Sequence, residues 1–80
     1  MVGERIVLGR KLRGMSRKRL SERSGISYRK LWLFEQEVTI PTSEELSKIA
    51  SALYVPVEFL LRPNTVNISD FNNGRGDKNE

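Results

Sequence analysis

The side chains in this sequence best suited to chemistry are cations. Residues 17–19 read Arg-Lys-Arg and residues 28–30 read Tyr-Arg-Lys. An arginine fork matches guanine O6/N7 or a phosphate, a tyrosine hydroxyl donates to phosphate oxygen, and an apolar side chain such as Leu33 meets a thymine methyl. Recognition of a polyanion is therefore the chemistry these residue types support. Catalysis is poorly provided for. Glu35, Glu37, Glu44 and Glu45 offer no paired acid–base arrangement, and the chain has no histidine and no cysteine. The commonest general base and the commonest metal ligands are thus missing. No enzyme, catalytic residue, cofactor or metal is expected.

The stretch that must position these groups is residues 16–35, which reads as two short helices around a tight turn at Gly25. Ser16 is placed to cap the first helix and Ser27 the second, since a serine oxygen accepts from the free N–H groups of a first turn. Gly25 can take the left-handed conformation that ends a helix. Leu20, Leu31 and Phe34 face inward, while Tyr28, Arg29, Trp32 and Leu33 face outward with Lys30 at the edge. A helix, a turn and a helix with an apolar inside and a basic outside point to DNA. Arg17, Lys18 and Arg19 oppose the helix dipole, at up to about 1 kcal/mol each. A phosphate seated on that helix start would turn the same arrangement to advantage. Trp32 and Leu33 make the outer face apolar for a groove reader, which also suits a protein partner; alternatively, Trp32 folds back on the loop that follows.

Charge is polarised along the chain. Residues 1–30 carry ten basic and two acidic side chains, and residues 31–61 carry one basic and five acidic. The first half should attract polyanions. Eighty residues allow one small domain. No uninterrupted apolar run reaches membrane-spanning length and the start lacks a signal-peptide core, so no membrane association is expected and a cytoplasmic, nucleoid-associated protein is the simplest reading.

Around the central pair, a first helix is expected over residues 2–13, with Val2, Ile6 and Gly9 on one face and Arg10 and Arg13 at its edge. Leu8, Leu12 and Met15 form a second apolar line, expected to pack on the start of helix two rather than to serve self-association. Helix three spans residues 28–36, and residues 37–41 form a loop. Thr42-Ser43-Glu44-Glu45 is a capping-box pattern opening helix four, whose core stripe is Leu46, Ile49, Ala50 and Leu53. Pro56 introduces a short fifth helix over residues 57–61. Beyond it the signal fades. The expected organisation is a domain over residues 1–62 and a flexible C-terminal tail over 63–80, with a weak edge strand at 65–68 and disorder over 72–80.

Taken together, G-E-R-I, R-K-L-R-G-M-S-R-K-R-L-S-E-R-S-G-I-S, L-W-L-F-E and I-P-T-S-E-E-L-S-K-I-A-S-A-L-Y-V-P-V-E-F-L resemble the Cro/repressor-type helix-turn-helix family, also called the xenobiotic-response-element family, over residues 3–61. The resemblance implies an all-α, five-helix lambda-repressor-like domain. It also implies DNA binding through helices two and three, as a homodimer on a palindromic operator. It makes Ser16, Arg17, Lys18, Ser27, Tyr28, Arg29, Lys30, Trp32 and Leu33 the expected DNA-binding residues, and Arg10 and Glu35 a structural salt bridge between helices one and three. The chain departs from the family pattern at four positions. Arg17 stands where the family usually has Gln, Ser21 where it has Ala, and Glu37 and Tyr54 where it has Gly. Glu37 would place an acid near the expected phosphate path.

Overall fold

The computed structural model describes residues 1–63. The expected edge strand at 65–68 and disorder over 72–80 lie outside them. Five helices follow one another: α1 (Val2–Leu12), α2 (Arg17–Ser24), α3 (Tyr28–Glu35), α4 (Ser43–Leu53) and α5 (Val57–Leu61), with no strand among the described residues.

Local chemistry explains the boundaries of the central helices. Ser16 Oγ accepts from Arg19 N at the start of α2, and Gly25 ends that helix at φ 77°. Ser27 Oγ accepts from Lys30 N at the start of α3. Thr42 and Glu45 exchange reciprocal bonds at the start of α4, with Thr42 N donating to Glu45 Oε1 at 2.8 Å and Glu45 N donating to Thr42 Oγ1 at 3.1 Å. Glu37 and Tyr54, the two positions where glycine was expected from the family pattern, both hold positive φ, at 65° and 60°. The backbone there adopts the conformation glycine favours, so a non-glycine residue carries some strain.

The core is one cluster, built from Ile6, Leu20, Ile26, Leu31, Phe34, Ile49, Ala50, Ala52, Leu53 and Leu60, with Met15, Leu46 and Phe59 packed on it. α1 lies against α3, α4 and α5, while α2 lies against α3 and α4. The expected packing of Leu8 and Leu12 on helix two is not found. Ile6 and Gly9 occupy the inward face of α1, and Leu12, opposite them, is 62 % exposed, as Leu8 is in part. Only Met15, beyond the helix end, reaches the core.

Where α1 begins, the backbones of α1 and α3 come close together. A Cβ on Gly3 would meet the Phe34 carbonyl oxygen at 2.5 Å and the Glu35 carbonyl oxygen at 2.9 Å. Gly3 therefore lets the C-terminal end of α3 rest directly on α1. Glu37 Oε2 lies 2.7 Å from the same Cβ position. That carboxylate is turned toward the α1 start, where an anion is favoured by the helix dipole, rather than out along a phosphate path.

Candidate nucleic-acid interface

The outer face of α3 is held in place by one buried carboxylate. The Glu35 side chain is 1 % exposed and lies between two arginines. Arg10 donates to it twice, Nε to Oε2 at 2.8 Å and Nη2 to Oε1 at 3.1 Å. Arg17 Nε donates to Oε1 at 3.0 Å. Arg10 also donates Nη1 to the Met15 carbonyl at 3.1 Å. α1, the α1–α2 connection, α2 and α3 are thereby joined at one point, with a net positive charge left after pairing.

Arg17 continues the network outward. Its Nη1 donates to the Tyr28 hydroxyl oxygen at 3.0 Å, and its guanidinium lies 5.3 Å from the Tyr28 ring centre. Burial, which lowers its pKa, is outweighed by the bonds to Glu35 and Tyr28, so the guanidinium is held above its ordinary range. The first residue of α3 is thus tied to the first residue of α2. Because the Tyr28 oxygen accepts from Arg17, its O–H proton remains available to an outside acceptor.

The remaining expected site residues divide into four kinds. Arg29 and Lys18 are exposed and make no hydrogen bond or ion pair among the described residues. Ser16 and Ser27 spend their oxygens as helix caps. Lys30 leans toward α4, its Nζ bonded to Glu45 Oε2 at 2.7 Å. That bond, then the one from Thr42 N, holds the Glu45 carboxyl below its ordinary value of 4.5. Trp32 is 41 % exposed and Leu33 half-buried, so the outer face of α3 presents an indole beside Tyr28 and Arg29.

Two cations counted toward the basic first half are instead held against backbone carbonyls. Arg5 is buried, donates Nε to the Phe59 carbonyl at 2.8 Å and lies 4.2 Å over the Phe59 ring. Arg13 donates Nε to the Leu53 carbonyl and Nη2 to the Tyr54 carbonyl, both at 2.8 Å, and so closes the C-terminus of α4. Arg5 shares the Val2–Gly9 stripe at helical spacing, which is the signal that could have placed it inside. Ser21, where the family has Ala, donates Oγ to the Ile26 carbonyl at 2.6 Å and fixes the turn between α2 and α3.

A basic α2 start beside an exposed, braced α3 is the arrangement of a helix-turn-helix. Residues 8–60 match the helix-turn-helix family of the xenobiotic-response-element type. The chain belongs to that family. This helix-turn-helix protein has the all-helical, lambda-repressor-like fold of the family, and the family consists of DNA-binding regulators rather than enzymes. No curated protein sequence matches the chain significantly. No helix among the described residues is long and apolar enough to cross a membrane.

Proposed function

We propose that this helix-turn-helix protein is a sequence-specific transcriptional repressor. It inserts α3 into the major groove of double-stranded DNA and binds a palindromic operator as a homodimer, in the cytoplasm at the nucleoid. The observation that carries this reading is the Arg10–Glu35–Arg17–Tyr28 network, which fixes the first residue of an otherwise exposed helix. A reading helix must be held rigidly if a side chain is to select one base over another, at about 1–3 kcal/mol per bidentate contact. Arg29 is the base reader in this arrangement. Tyr28 and Lys18 contact phosphate, with Ser16, Arg17, Ser27 and Lys30 completing the backbone contacts, and Trp32 and Leu33 supply apolar contacts to base edges.

Selecting bound duplexes from a random pool tests the proposal. Enrichment of a palindrome whose half-sites are one helical turn apart is expected. Enrichment of nothing would sink sequence-specific reading.

The exposure of Trp32 favours a second reading, in which the apolar α3 face holds a protein partner. A Trp32→Ala change separates the two. Loss of DNA affinity supports the groove reader, whereas intact DNA affinity with loss of a captured protein supports the interaction module.

A further inference from the structure

The first turn of α3 carries two cations that the fold treats differently. Arg29 is exposed and makes no hydrogen bond or ion pair among the described residues. Lys30 is drawn across to α4, where its Nζ donates to Glu45 Oε2 at 2.7 Å. The pair spans 15 positions in the chain, so only the return of α4 toward α3 makes it. Lys30 N is bonded to Ser27 Oγ, which fixes its backbone and leaves the side chain as the part that moves.

The two ends of the pair are held unequally. Glu45 Oε1 accepts from Thr42 N at 2.8 Å, and the carboxylate sits in the first turn of α4, where the helix dipole favours an anion. Its side chain is 16 % exposed, whereas that of Lys30 is 58 % exposed. Lys30 can therefore swing away, and the carboxylate it leaves keeps its bond to Thr42 N. The neighbouring Lys48 pairs with Glu44 instead, at 3.6 Å. One ammonium charge cannot neutralise both Glu45 and a DNA phosphate, so any phosphate contact by Lys30 starts with the loss of this pair.

Building on DNA binding through α3, we propose that Glu45 is a positioning residue that competes with DNA phosphate for Lys30. In the free protein it parks Lys30 against α4. In the complex Lys30 crosses to the backbone of the duplex, while Glu45 stays on Thr42 N. Phosphates are alike at every base pair, so the competition lowers affinity for all duplexes by one factor and leaves base preference to the unengaged Arg29.

Titrating a duplex of random sequence at several salt concentrations tests this. Glu45→Gln keeps an oxygen for Thr42 N and so preserves the start of α4. It should bind about two- to fivefold more tightly at each salt, the range an exposed ion pair supports. The log–log slope should stay the same, because Lys30 reaches a phosphate in both proteins. In a Lys30→Ala background the gain should vanish. An equal gain without Lys30 would overturn the proposal, since a general loss of negative charge would then suffice. So would no gain, and so would a slope steeper by about one unit in Glu45→Gln, which would show that Lys30 stays on Glu45 in the wild-type complex. Those outcomes leave DNA binding intact, whereas wild type that binds no duplex at any salt would remove the DNA reading and the competition with it.

Discussion

Glu35 is the residue on which the interface depends, and its energetics follow from its surroundings. Three N–H groups from two arginines converge on a carboxylate that solvent does not reach. Removing one partner of a buried charge group costs about 3–5 kcal/mol. Both arginines retain some contact with water, at 12 % and 22 % side-chain exposure, so the lower end applies. Glu35→Gln should therefore lower unfolding stability by about 3 kcal/mol in a urea titration. An unchanged midpoint would show that the network contributes nothing. The same substitution loosens Arg17, and through it Tyr28, so DNA affinity should fall further than the lost stability alone explains. This residue shows what the sequence could and could not reveal. Arg10 and Glu35 were named as partners through the family resemblance. Arg17 was expected on a phosphate, and only the packing of α2 on α3 brings its Nε onto the same carboxylate.

At the scale of the elements, the contact between α1 and α3 is set by a missing side chain. Gly3→Ala would raise the helix propensity of α1 by up to about 1 kcal/mol. Its Cβ would meet the Phe34 carbonyl oxygen at 2.5 Å, and backbone cannot step aside as a flexible side chain can. Forcing an atom into packed backbone costs about 1–3 kcal/mol, so a net loss of up to about 2 kcal/mol is expected, read as a lower thermal midpoint. A gain would mean that α1 can shift. The Lys30–Glu45 pair joins α3 to α4 and behaves differently. The folded carboxyl of Glu45 is held below its ordinary value, so this pair stabilises fully above about pH 4.5 and the contribution is lost as pH falls through the lowered value. Since Lys30 is exposed, the contribution is under about 1 kcal/mol. Wild type and Glu45→Gln should therefore differ at pH 7 and converge once pH falls below that lowered value, in parallel melts. Elements with local signatures were legible in the sequence: the capping box opened α4, serines opened α2 and α3, and Gly25 closed α2. α1 was read only in part. Its two apolar lines are equally plausible by periodicity, and which one is buried depends on α3, α4 and α5 arriving on the Ile6–Gly9 side.

For the molecule as a whole, charge counted along the chain overstates the charge that faces DNA. Ten cations in the first thirty residues would give a salt slope near −9 if each neutralised one phosphate. The fold withdraws Arg5 to the Phe59 carbonyl, Arg10 to Glu35 and Arg13 to the end of α4. Seven remain: Lys18 and Arg29 are exposed at the α2 start and on α3, Arg17, Arg19 and Lys30 are engaged there by carboxylates, and Lys11 and Arg23 sit in the last turns of α1 and α2, Arg23 over the Tyr54 ring, away from the α2 start and the first turn of α3. About five phosphate contacts per protomer then set the response, so the log–log slope of operator affinity against salt should be about −4 to −5 per protomer. Arg29→Ala should weaken binding and relax selectivity at one base pair, whereas Lys18→Ala should reduce the slope by about one unit for every sequence. Arg13→Ala is the control: it should lower the thermal midpoint by uncapping α4 while leaving the slope unchanged. A slope near −9, or one that Arg13→Ala reduces as much as Lys18→Ala does, would show that the engaged arginines leave their partners to meet DNA. A flat salt response would remove the polyanion reading altogether, because neutralising phosphates releases counterions whatever the base sequence.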